Sequence, residues 1–232
     1  MGRTADDGRG TGRDDRAMTS TRPADVAGLI DAGLDQEAAE HGARRPTADA
    51  GPAMDPLRQL AQLGPHLAGV VAGIRDDQLD ASTPCADFTV RGVLEHMIGG
   101  ATAFAAAFRG EAPADPDLAD PLGGFEPALG DLVAAISAPG ALDRSIQAPF
   151  GVVPGDDFAR FVVLDGRVHG WDLASATGQT YEPPAALVDA VADFARQALD
   201  PLRDGSTFGA AVEPAADASP IERLANYTGR RR

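Results

Sequence analysis

The sequence predicts an all-α fold, a four-helix bundle with long connections preceded by a disordered N-terminal extension. Three observations carry that expectation. Apolar residues recur at helical spacing in long stretches from Leu57 onward. No segment alternates apolar and polar residues over a convincing strand length. Residues 1–53 differ in composition from everything that follows.

In residues 1–53, Gly, Asp, Arg, Thr and Pro dominate and aromatic residues are absent. Val26, Leu29, Ile30 and Leu34 suffice for one short amphipathic helix. Alone it buries too little surface to offset its ordering entropy. The chain is therefore expected to divide into a disordered extension, 1–53, and one domain, 54–232. Met54-Asp55-Pro56-Leu57 reads as a helix start, with Met54 a candidate translation start.

Leu57, Leu60, Leu63, Leu67, Val70, Val71 and Ile74 mark one face of a first helix, which Pro65 is expected to kink or split. After a loop, Thr89 or Asp87 caps a second helix over residues 90–108. Residues 125–136 form a third, shorter one. Pro149, Gly151, Pro154 and Gly155 punctuate an irregular connection with room for a short hairpin. Asp156 or Asp157 then caps a long helix ending at Gly178, and a last helix covers residues 185–202. Gly92, Gly99 and Gly100 flank His96, so a partner helix is expected to approach closely there.

The formal charge of −15 argues against a nucleic-acid partner. All 20 basic residues are arginine, which reflects GC-rich coding more simply than function. The single cysteine, Cys85, permits no internal disulfide and suits a reducing cytoplasm. Residues 1–22 lack the apolar core of a secretory signal, and the longest weakly apolar run, 97–108, is too short to span a bilayer. A soluble, cytoplasmic protein with no membrane partner is expected.

Chemistry concentrates in Asp165-Gly-Arg-Val-His169-Gly-Trp171-Asp172. Positions four apart share a helix face, so Asp165 and His169 project side by side, and Asp172 follows one turn on. A carboxylate and an imidazole one turn apart, joined by a third ligand such as His96 from another helix, make a divalent metal site with an open position.

Further segments extend the pattern. They are Thr83-Pro84-Cys85-Ala-Asp-Phe88-Thr-Val90, Leu94-Glu-His96, Pro149-Phe150-Gly151-Val-Val-Pro154-Gly155, Val168-His169-Gly-Trp171-Asp172-Leu173-Ala174, and Leu224 through Thr228-Gly229-Arg230. In that order and spacing they resemble the actinobacterial metal-binding branch of the mycothiol-dependent maleylpyruvate isomerase family, among the DinB-like four-helix bundles. The resemblance covers the chain from about Met54 to Arg230. It implies that His96, Asp165 and His169 are the metal ligands. That family's isomerase has a glutamate where this chain has Asp165, one methylene shorter. Asp172 is then an alternative ligand, or the group that orients His169. Phe88 stands where such sequences often carry tryptophan. The isomerase itself resembles a two-domain protein whose sterol-carrier-like second domain contributes a catalytic arginine. With the chain ending at Arg232, thiol-linked metal chemistry is expected rather than that isomerisation.

Plainer readings stand beside each of these. A lone His96 on an apolar bundle is ordinarily a satisfied core or surface histidine, and Asp165 alone a solvated one. Asp172 fits an orienting role better than ligation. Trp171 reads as a packing residue at a helix–helix contact. Cys85 lies eleven residues before His96, mostly through helix, so about 10 Å or more separates them along the axis. Capping or packing near the helix start is expected of Cys85 rather than nucleophilic attack. His41 and His66 have no ligand partner in the sequence.

Two functions follow. One is an enzyme in which the metal activates a thiolate, by resemblance mycothiol, towards a small-molecule electrophile, in S-transfer or thiol-assisted isomerisation. Zinc is the default ion for this ligand set, with nickel, iron and manganese as alternatives. The other is a non-catalytic metal-binding or stress-response bundle, for which a homodimer is compatible.

Overall fold

The computed structural model describes residues 54–86, 88–148, 151–203 and 210–231. The expected extension 1–53, and the motif residues Asp87, Pro149 and Phe150, lie outside the described residues. The described chain is an all-α, DinB-like bundle with one small hairpin.

Helix α1 spans Pro56–Ala72. The Asp55 carboxylate accepts from the Leu57 amide at 3.1 Å, and Pro56 takes the first helical position, where no amide hydrogen is needed. Of the two outcomes expected at Pro65, a kink or a split, the split does not occur: the helix runs continuously through it. Pro65 and Ala61, whose carbonyl it leaves without a helical donor, both lie on the exposed face, where no buried polar group results. Helix α2 spans Val90–Arg109, with Thr89 Oγ1 accepting from the Gly92 amide and Gly110 closing the end in the left-handed region. Helix α3, Pro121–Ile136, starts a turn earlier than its apolar pattern suggests, because Asp120 caps it and Pro121 opens it.

Strands β1 (Ser145–Ala148) and β2 (Gly151–Pro154) form the anticipated hairpin, antiparallel, with Ala148 opposite Gly151. Helix α4 runs Gly155–Thr177 and ends at Gly178 in the left-handed region. Its N-cap is Pro154 rather than Asp156 or Asp157. Those two aspartates fall in the first turn, where they still favour the helix dipole. Gly155 is needed for space: a Cβ there would sit 2.7 Å from the Ala141 carbonyl oxygen.

Helix α5, Ala185–Ala198, is shorter than expected. Pro201 lies in a separate 3-10 turn, Asp200–Leu202. A final helix, α6 (Pro220–Tyr227), was not anticipated, although Ser219 and Glu222 form a capping box and Pro220 starts it.

Helices α1 to α4 make the bundle, and α5 and α6 cover the far side of α4. As a result α4 is buried on almost every side from Phe158 to Ala174. The close helix approach also lies elsewhere than expected. A Cβ at Gly166 would meet Leu63 Cδ2 at 2.9 Å, and one at Gly170 would meet Leu67 Cδ2 at 2.8 Å, so α1 crosses α4 at these glycines. Around Gly92, Gly99 and Gly100 no partner helix among the described residues comes that near.

Candidate metal centre

His96, near the start of α2, and Asp165 and His169, one turn apart on α4, come together. His96 Nε2 lies 3.6 Å and His169 Nε2 3.4 Å from the same oxygen, Asp165 Oδ1. The imidazole centroids are 4.9 Å apart. Donors about 2.1 Å from one tetrahedral ion lie about 3.4 Å from each other, close to the two distances to Asp165 Oδ1, and the three ligand atoms all lie within 4.8 Å of one another. The shorter aspartate reaches both imidazoles directly. The His96 and Asp165 side chains retain 31% and 42% exposure, which leaves one side of the group facing solvent.

Asp172, fully buried one turn beyond His169, does not join the triad. Its Oδ2 accepts from His169 Nδ1 at 3.0 Å. A carboxylate only accepts, so Nδ1 carries a hydrogen and Nε2 is the ring nitrogen turned towards Asp165 and His96. Phe88 packs over both imidazoles, with centroids 5.5 Å from His96 and 6.4 Å from His169.

Burial alone would lower the His169 imidazole. The charge and hydrogen bond of Asp165, with the hydrogen bond to Asp172, outweigh it and raise His169 to about 9. Burial likewise pushes Asp165 up, but the charges and hydrogen bonds of His169 and His96 hold it well below the usual carboxylate range. In the metal-free protein a proton thus bridges donors that an ion would otherwise claim.

Cys85 requires a correction. Helical rise does keep it out of the His96 group, but the loop before α2 folds back onto α4. Cys85 Sγ lies within 4.8 Å of donor atoms of both His169 and Asp172. Thr83 Oγ1 holds this turn, accepting from the Cys85 amide and donating to the Phe88 carbonyl at 2.8 Å.

Arg230, quoted in the sequence only as part of a motif, is the other missed neighbour. Its Nε reaches Asp172 Oδ2 at 3.4 Å and its Nη2 reaches Cys85 Sγ at 3.7 Å. The Gly229 amide bonds the Asn226 carbonyl and the Arg230 amide that of Ala225, a Schellman ending with Gly229 at φ 95°. That ending turns the arginine back onto α4. Cys85, His169 and Asp172 are thus a second set of possible ligands, but a guanidinium already lies against them. The set without the two atoms that Arg230 touches is His96, Asp165 and His169. Trp171 is buried, as its packing role requires, and also lines a cavity of about 440 Å³ between α4, α5 and α6, on the side away from the histidines.

Comparison with known proteins agrees with this fold. The family model for the mycothiol maleylpyruvate isomerase N-terminal domain matches residues 60–174, a stretch that includes Cys85, His96, Asp165, His169 and Asp172 but not Arg230. An uncharacterized protein of Mycobacterium tuberculosis strain CDC 1551 / Oshkosh is 33% identical over 187 residues, covering 76% of this chain and 98% of its own. An uncharacterized protein of strain ATCC 25618 / H37Rv matches to the same extent. No solved structure matches. Among the described residues, no helix is long and apolar enough to cross a membrane.

Proposed function

The chain belongs to the mycothiol maleylpyruvate isomerase N-terminal domain family, and from that premise we propose a divalent-metal-dependent enzyme that uses a low-molecular-weight thiol, mycothiol, against a small electrophile. The reaction class is S-transfer or thiol-assisted isomerisation. One observation carries the reading: two imidazole nitrogens from separate helices converge within 3.6 Å on one carboxylate oxygen at a half-open site. His96, Asp165 and His169 hold the ion, with zinc the default for this donor set. Bound there, it supplies the positive charge that keeps a thiol sulfur deprotonated and nucleophilic at neutral pH.

The protein's own groups do the rest. Asp172 fixes the His169 tautomer and ring orientation. Arg230 neutralises the buried Asp172 carboxylate and keeps it in place. Phe88 shields the imidazoles from water on one side, while the exposed edges of His96 and Asp165 leave a way in for thiol and electrophile. With its single cysteine, the chain suits the reducing cytoplasm in which such a thiol is kept reduced.

The test is metal analysis of the purified protein, followed by thiol-consumption assays with mycothiol and a panel of electrophiles. Near-stoichiometric metal and thiol loss that disappears in His169→Ala are the expected results. Stoichiometric metal without thiol loss on any electrophile would favour the non-catalytic metal-binding reading.

A further inference from the structure

A second feature adjoins the triad. Below Asp165 lies a pocket of about 30 Å³ between α1, α2, α3 and α4. Its walls include Leu63, Gly100, Phe104, Leu129 and Val162, and among the described residues Asp165 is the one charged member of its lining. His96, Gly100 and Phe104 fall at i, i+4 and i+8 on α2, so the wall descends along one stripe from the imidazole to an aromatic floor. Phe104 is set there by an edge-on contact with Phe158, centroids 4.9 Å apart. A dry pocket of this size has room for about two waters, or for a short alkyl group.

We propose that this pocket takes an apolar arm of the substrate, so that the electrophile carries a short alkyl or small aryl group, and no carboxylate, beside its reacting centre. The inference rests on the metal-dependent reading above and narrows its substrate class. An anionic group in the pocket would be desolvated with no cation or polar hydrogen among the lining side chains, and it would face Asp165. A methylene group there gains about fourfold in affinity. Apolar walls with one polar anchor are the usual make-up of a small-molecule site.

The experiment titrates zinc-loaded protein calorimetrically with metal-chelating hydroxamates: acetyl, propionyl, butyryl and hexanoyl, and the carboxylate-bearing succinyl analogue. Affinity is expected to climb about fourfold per added methylene over the first about two or three carbons and then level off. The succinyl probe should gain nothing over acetyl. Gly100→Ala, whose new methyl would lie 3.4 Å from Phe104 Cε2, should flatten the slope of the series. Phe104→Ala should extend the slope to longer chains. A flat series in the wild type, or tighter binding of the succinyl probe, would overturn the proposal.

A metal-free arm separates the two claims. Xenon added to the metal-free protein should shift the methyl resonances of Leu63 and Leu129. No xenon response with normal zinc uptake rejects the apolar pocket alone. A xenon response without zinc uptake rejects the metal reading, and the substrate assignment with it.

Discussion

Asp165 and Arg167 stand two residues apart on α4, and their surroundings could hardly differ more. Asp165 faces α2, keeps 42% of its side chain exposed, and has an imidazole on either side of one oxygen. Arg167 is completely buried. Its Nη1 bonds the Tyr181 hydroxyl at 3.1 Å, while Nε and Nη2 have no hydrogen-bond partner among the described residues. Burial lowers its pKa, and among the described residues no carboxylate pairs with it. Both charges are costly on a helix buried on almost every side. On one face that cost organises a group of complementary donors open to solvent. On the other, among the described residues, it is met by a phenol alone. Substitutions on the two faces should therefore report on different things, metal affinity on one and stability on the other.

The largest expected effect is on the Asp165 face. His169→Ala should abolish stoichiometric metal, measured by plasma emission, with the helical dichroism largely kept because the core surrounds α4 independently of it. Asp165→Asn should also lose metal sharply, since a neutral amide is a poor ligand for zinc. Asp172→Asn comes next. It orients an imidazole without joining the triad, so affinity should fall about ten- to a hundredfold. If the sharp loss followed Asp172→Asn and Asp165→Asn were silent, the two aspartates would exchange roles.

Acidity gives a graded version of the same contrast. His169, raised to about 9, must lose its proton to bind an ion, so zinc affinity should drop about tenfold per pH unit below that value. Competition titrations at several pH values would read the slope, and a flat profile from pH 6 to 8 would remove the proton from the site. Without metal the same shift has a stability consequence. The His169 contribution is complete below the ordinary histidine range and is lost as pH rises through about 9. That of Asp165 is present above the ordinary carboxylate range and is lost as pH falls.

The smallest effects belong to the Arg167 face. Tyr181→Phe removes the one hydrogen bond of the buried guanidinium and should cost about 1–3 kcal/mol in urea unfolding. Arg167→Met, of similar length and apolar, should leave stability unchanged or raise it. Neither should alter zinc affinity, and a change there would show that the two faces are coupled.

Much of this was legible in the sequence, for identifiable reasons. Helical periodicity, Asp55-Pro56 and Thr89 placed α1 and α2 closely. The spacing of Asp165 and His169 put them on one face, and the family motifs singled out His96. What the sequence hid was tertiary. The return of Cys85 to α4 depends on a loop turned by Thr83, and that of Arg230 on a Schellman ending, so no helical rise calculation reaches either. Helix α6 was readable, since Ser219-Pro220-Ile221-Glu222 is a capping box with proline in place. The burial of Arg167 was not, because it arises only when α5 and α6 close over α4.

X-ray absorption on the zinc-loaded protein tests the central claim most directly, because the two possible ligand sets differ in sulfur. His96, Asp165 and His169 predict a first shell of nitrogen and oxygen alone, at about 2.0–2.2 Å, with the multiple-scattering signature of two imidazoles. A sulfur scatterer at about 2.3 Å that vanishes in Cys85→Ser would place the ion with Cys85, His169 and Asp172 instead, and would contradict the account.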